Sequence, residues 1–321
     1  MNTTEKYSLA EMAIDHALRC GADQVSATIY ANRSNDIEIR DQKIDSLKES
    51  NRSGLSINLY VNKKYSSHST NRLKKEDLLK FIEEAVKATK FLAEDEFRAL
   101  PDPELYYKGG GPDLQTFDPK LDTIDAKTKI DLAMNVLNEA YGKDERIISV
   151  SSYYSDSISS SVMVASNGFR GDSSNTRLSL TASVSMKGET GRPNDYWNEN
   201  ALFFDRLVRK DIGSKALERT RSKMNPKKLI SGKYPVIVEN RVSANLLYPI
   251  YQALTGSSLY QKQSFLIGKQ NQKITSQLLS AVDDPLIPSG PGSRHFDDEG
   301  IAAVRRPIIE NGILKSYYID N

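Results

Sequence analysis

The sequence predicts an α+β fold. Three observations carry this. Apolar residues recur at helical spacing in several segments. Between those segments, shorter runs alternate apolar and polar residues with period 2, the pattern of half-buried antiparallel strands. Turn signals such as Asn311–Gly312 join neighbouring runs as hairpins. With 321 residues the chain has room for two or three domains. The pattern divides it into an N-terminal α+β domain with an antiparallel sheet (1–100), a middle α+β domain (115–225) and a β-rich C-terminal domain (230–321).

Leu9 to Leu18 reads as the first helix, with Ala10, Ala13, Ile14 and Ala17 on one face and Gly21 as its stop. Val25 to Tyr30 reads as a strand. Asp36 to Arg40, Lys43 to Leu47 and Gly54 to Val61 follow as alternating segments, and Asn62–Lys63–Lys64 as a turn. Leu78, Leu79, Ile82, Ala85, Val86 and Phe91 form the stripe of a helix over about Lys75 to Leu92. Leu100 to Pro119, punctuated by prolines and Gly109–Gly110–Gly111, reads as a linker. A helix follows from Asp125 to Tyr141, then Ser-rich strands at Ile147–Tyr154 and Ser160–Ala165. Ser166–Asn167–Gly168 is the next turn, Leu178–Met186 a strand and Asp211–Lys223 a helix. Asp195–Tyr196–Trp197 reads as an anchor for a surface loop or a subunit contact. In the last region Tyr234–Val238 reads as a strand. Asn240 caps a helix kinked at Pro249 and ended by Gly256, and strands are expected at Ile301–Ile309 and Ile313–Ile319.

Composition excludes several functions. A formal charge of +2 argues against a general nucleic-acid binder or a polybasic membrane protein. One cysteine, Cys20, rules out a disulfide framework, a Cys-rich zinc site and an iron–sulfur cluster. His16, His68 and His295 have no metal-motif spacing. Met1 to Glu11 is polar, without the apolar core of a signal peptide, and no apolar run approaches the ~20 residues that span a bilayer. A cytoplasmic protein without membrane contact is expected.

The densest polar constellation lies between Asp283 and Glu299. It holds Asp283, Asp284, Arg294, His295, Asp297, Asp298 and Glu299. Three readings stay open: a hard-cation site, a paired acid/base site, or a shaped loop whose carboxylates cap backbone N–H groups and pair with Arg294, Arg305 or Arg306. The spacing does not match an EF-hand. No GxSxG elbow is present, and Gly109–Gly111 lacks the strand, helix and GK[ST] of a phosphate loop.

The ordered set Ser264–Phe265, Asp283–Asp284–Pro285, Gly292–Ser293–Arg294, Phe296 to Gly300 and Glu310 to Leu314 resembles the TldD/PmbA (TldE) family. Gly21–Ala22–Asp23, Gly54–Leu55 and Ser166 to Phe169 match in the same order, so the resemblance spans the chain. It implies a two-subunit peptidase system, historically labelled a modulator of DNA gyrase. One subunit, TldD, carries an HExxxH metal motif on the helix that opens its C-terminal domain. The other, PmbA/TldE, lacks it. In this chain Tyr248, Pro249 and Ala253 stand where the motif's His, Glu and second His would be. The resemblance therefore implies no catalytic, metal or cofactor residue here, with zinc expected in a TldD-like partner. It also makes Asp283, Asp284, Arg294, Asp297, Asp298 and Glu299 a signature loop with a structural role. The family continues further, so the resemblance implies an incomplete C-terminal domain.

The function expected is that of a TldE/PmbA-like non-catalytic subunit acting with a TldD-like metallopeptidase on unfolded peptides, and inactive alone. Two alternatives are a stand-alone hydrolase using the acidic loop 283–299, and a binding protein that modulates another enzyme such as DNA gyrase. Exposed aromatics in the first and third regions favour an oligomer, a homodimer among the options.

Overall fold

The computed structural model describes residues 1–319. It has the expected α+β character, with antiparallel sheets and helices in two compact units. One unit comprises residues 1–227 and 288–302, the other residues 228–287 and 303–321.

In the first unit, one six-stranded antiparallel sheet runs through both the 1–100 and 115–225 regions. Its strands are β1 (Gln24–Arg40), β2 (Lys43–Val61), β3 (Lys64–Thr70), β4 (Ile147–Ala165), β5 (Arg170–Met186) and β6 (Asn194–Ala201). The order is β3-β2-β1-β4-β5-β6. Strands β1 and β4 join the two halves, in a register that pairs Ser26 with Ala165 and Arg40 with Ser151. The segments read separately at 25–30 and 36–40 are one 17-residue strand. They looked separate because Asn32, Arg33, Ser34 and Asn35 between them are polar. These residues cross the middle of the sheet, away from both apolar cores.

Four helices pack on one face of this sheet. Helix α1 (Thr3–Arg19) begins six residues earlier than its apolar stripe suggests. Asn2 accepts the Glu5 N–H and the Glu5 side chain returns to the Asn2 N–H, a capping box that satisfies two otherwise orphan donors. Together with α2 (Lys75–Thr89), α1 covers Val25, Ala27, Ile29, Leu55, Ile57 and Leu59. Helices α3 (Ala126–Asn138) and α4 (Ile212–Ser222) cover a second core around Val150, Tyr154, Leu180 and Val184. Each strand buries alternate residues against these helices, which fixes its register: a one-residue slip would turn the apolar set outward. Asp195, Tyr196 and Trp197 lie in β6, an edge strand rather than a loop anchor.

Between the two cores the helix face turns polar. The buried ammonium of Lys6 meets the Ser160 hydroxyl there, and burial lowers the Lys6 pKa. Next to it the Tyr7 hydroxyl donates to Asp172 Oδ1 at 2.9 Å. Burial, then this bond to a carboxylate, push the Tyr7 phenol from its ordinary 10.0 up to about 12. The folded state thus holds this proton more tightly than the unfolded one. The stabilisation is complete below pH 10 and is lost as the pH rises through 12. We expect stability to fall over that interval, and Tyr7→Phe to make the fall shallower. Urea unfolding of both proteins at stepped alkaline pH checks this; equal slopes would contradict it.

The segment read as a linker, 100–119, is packed rather than free. Leu100, Tyr106 and Leu114 are buried, and Tyr106 joins Met163, Ala165 and Phe169 in a small core on the opposite face of the sheet.

The second unit holds α5 (Ala244–Leu254), the short α6 (Gly256–Tyr260) and a three-stranded sheet of β7 (Ala281–Asp283), β8 (Arg306–Glu310) and β9 (Ile313–Leu314). Asn311 and Gly312 join β8 to β9 with φ of 50° and 79°, a tight hairpin turn. The strand expected at Tyr234–Val238 does not form; among the described residues no ladder partner lies beside it, and Ile237 is fully exposed. The strand expected to run to Ile319 ends at Leu314, after which Tyr318 makes one isolated bridge to Thr255. The core here is Ala253, Leu254, Leu266, Ile308, Ile309 and Leu314. No helix among the described residues is long and apolar enough to cross a membrane.

Candidate functional site

Helix α5 carries Tyr248, Pro249 and Ala253, the three positions at which the resemblance sets the motif. Pro249 lies inside the helix, where it removes one backbone donor. Tyr248 is exposed and Ala253 is buried against Leu254 and Ile308. A peptidase zinc centre needs imidazole or carboxylate donors and a general base near the metal-bound water. A phenol, a proline ring and a methyl group do not provide that donor set. The residues on α5 therefore do not fit the metal centre.

The acidic constellation is divided between the two units. In the second unit, Asp283 pairs with Arg306 at 3.5 Å and Asp284 with Arg305 at 3.2 Å. Asp284 also accepts the Leu286 N–H. These carboxylates pin the ends of β7 and β8, and their charges are already matched.

In the first unit, Asp297 Oδ1 accepts the N–H groups of Glu299 and Ile301 at 2.9 and 3.0 Å. Its backbone N–H donates to Ile301 O, and Gly300 N–H returns to Asp297 O. The result is a tight turn made by an aspartate that reaches two residues along its own chain. The turn lays Gly300, Ile301 and Ala302 along Leu105–Tyr107. Gly300 has φ of +88°, and a Cβ there would stand 2.8 Å from the Phe169 ring. The turn also sets Phe296 edge-on to Phe169, with centroids 5.1 Å apart.

Arg294, Asp297 and Asp298 border a trough of about 410 Å³ on the sheet face opposite the helices. Thr28, Ser161 and Asn175 form part of its floor. Among the described residues, no three His, Cys, Asp or Glu side chains assemble as a metal-binding group. Charged side chains of both signs and hydroxyls line the trough together with Leu114, Met163 and Phe296, which suits an extended chain carrying polar and apolar groups.

Sequence reasoning missed the aromatic cavity beside this trough. Its volume is about 590 Å³, and Tyr106, Tyr107, Phe169 and His295 line it. Tyr107 and His295 stack with centroids 5.1 Å apart and planes 9° apart. The Asn167 amide is held twice, accepting from the Tyr106 hydroxyl and donating to Pro101 O. The matching motif Ser166 to Phe169 was the available signal, but nothing in it points to residues 106, 107 and 295.

Comparison with known proteins agrees with this architecture. Three family models match along the chain: PmbA/TldA metallopeptidase domain 1 at 26–89, the central domain at 119–224 and the C-terminal domain at 231–321. The Haemophilus influenzae protein named metalloprotease PmbA homolog is 28% identical over 318 residues, spanning 98% of this chain and 69% of that protein. A Bacteroides thetaiotaomicron crystal structure, described as that of a candidate modulator of DNA gyrase, is 44% identical. It superposes with a TM-score of 0.97 and covers all of this chain and 73% of its own. TldE from Thermococcus kodakarensis, 19% identical with a TM-score of 0.81, covers 98% of this chain and 70% of its own and shares the fold.

Proposed function

Since the chain belongs to the PmbA/TldD metallopeptidase family, we propose that it is a non-catalytic, TldE/PmbA-like subunit of a two-subunit metallopeptidase. In this reading it works in the cytoplasm beside a TldD-like partner that holds zinc. Its own contribution is to shape the space in which an unstructured peptide is presented to that metal.

The observation that carries the reading is the donor set of α5. The resemblance sets the family's HExxxH motif at Tyr248, Pro249 and Ala253, which lie on this helix. Proline has no proton-accepting group to serve as general base, and alanine offers no ligand. The engagement of Asp283 and Asp284 by arginines and of Asp297 by backbone N–H groups supports a structural role for these three acidic residues. The polar trough supports the second half of the reading, since an extended chain can hydrogen-bond to its hydroxyl and amide floor.

The test is assembly. Mixed with a purified TldD-like subunit, the chain is expected to elute from a sizing column as one complex, with both chains in a fixed ratio. Separate elution at micromolar concentration would overturn the proposed partnership.

A further inference from the structure

The aromatic cavity of the first unit has features that a structural core does not need. We infer that it binds the C-terminal residue of an extended peptide, taking an aromatic side chain against Tyr107 and His295 and the free carboxylate on Arg170. This deepens the peptide-presenting reading above by naming the end of the peptide and the residue type that the first unit selects.

Arg170 is the anchor. It lines the cavity, and its guanidinium carbon lies 3.6 Å from the centroid of the Tyr7 ring. Its Nε faces Glu11 Oε1 at 3.4 Å. One face and one edge of the guanidinium are thereby fixed, and the two terminal nitrogens form the fork that matches a carboxylate bidentately. Lys108, also lining the cavity, adds a second cation. Asp172 lies on the same wall, but its Oδ1 is engaged by the Tyr7 hydroxyl.

The charge balance selects the ligand class. Arg170, Lys108 and the buried Lys6, whose ammonium interacts with Asp172, set three cations against the two carboxylates of Asp172 and Glu11, so the wall can neutralise a single added negative charge. A polyphosphate would bring several charges without matching donors. A peptide carboxylate brings one.

The rest of the cavity fits such a residue. The stacked Tyr107 and His295 rings, both half-buried, offer faces and edges for an aromatic side chain, and the buried Phe169 ring, packed on Tyr106 and Phe296, backs the wall. Tyr106 and Asn167 are locked by their mutual hydrogen bond, so part of the wall is preorganised. On the rim, Gly109 and Gly110 have φ of +88° and +86°. A Cβ at either would meet nothing within 4 Å, which leaves room for a ligand backbone to approach.

The test uses the intact chain alone and fluorescent hexapeptides of one sequence ending in Phe, in Phe-amide or in Ala. Anisotropy titration is expected to show the Phe acid binding roughly tenfold more tightly than its amide, the worth of one charge-assisted contact. The Ala acid should bind more weakly than the Phe acid. Arg170→Gln should bring the acid down to the level of the amide and leave the amide unchanged. Lys108→Gln, at an exposed position, should narrow the acid–amide gap without touching the Tyr7 stack. Equal binding of acid and amide by the unmodified chain, or no binding of either, would overturn the inference. Such a failure would leave assembly with a TldD-like subunit intact, and failure to assemble would leave this binding intact.

Discussion

Replacing Lys129 by Met is expected to destabilise the first unit by about 3–5 kcal/mol, the cost of stripping one partner from a buried ion pair. The Lys129 and Asp156 side chains are 4% and 1% exposed, with Nζ 2.6 Å from Oδ2. Tyr154 donates its hydroxyl to the same oxygen at 2.8 Å, and Asn35 donates to Oδ1 at 2.9 Å. Burial and the neighbouring Asp156 raise the Tyr154 phenol well above its usual pKa, so it remains a donor across the working range. In Lys129→Met the aspartate keeps two neutral donors and loses its counter-charge. Lys129→Met/Asp156→Leu removes both charges and should be less destabilised than the two single losses added together. Urea unfolding followed by Trp197 fluorescence and circular dichroism measures all three. A loss below about 1 kcal/mol for Lys129→Met would show that the pair behaves like a surface one.

Gly213→Ala is the second large effect, with a sign opposite to the usual helix rule. Within a helix, Gly to Ala ordinarily stabilises by about 1 kcal/mol. Here a Cβ would stand 2.2 Å from the carbonyl oxygen of Val136 and 2.9 Å from Glu139 Cβ. Both belong to the end of α3, and a backbone carbonyl cannot swing aside as a side chain can. Helix α4 must retreat from α3. In doing so it strains a second contact, because Glu139 accepts the N–H groups of Asp211 and Gly213 at 2.9 and 2.7 Å. That carboxylate serves the exposed N–H groups at the start of α4, where the helix dipole favours a negative charge. A net loss of roughly 3 kcal/mol or more is expected, an overpacking cost at the upper end of its range. A melting temperature unchanged or raised in Gly213→Ala would contradict the close approach.

The helices were legible because their apolar stripes are local. The residues at Leu78, Ile82, Ala85 and Val86 announce α2 within one window, and the structure shortens the expected helix by only a few residues. The hairpins at 62–63 and 311–312 were legible from their turn residues. Strand length was not. The middle of β1, Asn32 to Asn35, is polar because it faces the seam between two cores, a location that depends on the pairing of β1 with β4 more than a hundred residues away. Tyr234–Val238 has the apolar, β-branched composition of a strand, yet strands exist by pairing, and among the described residues this segment has no ladder partner. The site divides similarly. The absence of donors on α5 can be read from three letters once the resemblance sets the positions. That the carboxylates cap backbone N–H groups and pair with arginines was one of three readings open in the sequence; which of Asp283, Asp284 and Asp297 does which followed only from the partners the fold gives them. The aromatic cavity needed residues 106–107, 169–170 and 295 to meet, which no periodicity encodes.

In the proposed role this chain shapes a peptidase without performing its chemistry. The most direct measurement is hydrolysis of an unstructured peptide, followed by mass spectrometry with zinc supplied. It is made with the chain alone, with a TldD-like subunit alone and with the two together. The donor set at Tyr248, Pro249 and Ala253 predicts no cleavage by the isolated chain at any zinc concentration, and cleavage by the mixture above that of the partner alone. Zinc-dependent turnover by the purified chain on its own would contradict it.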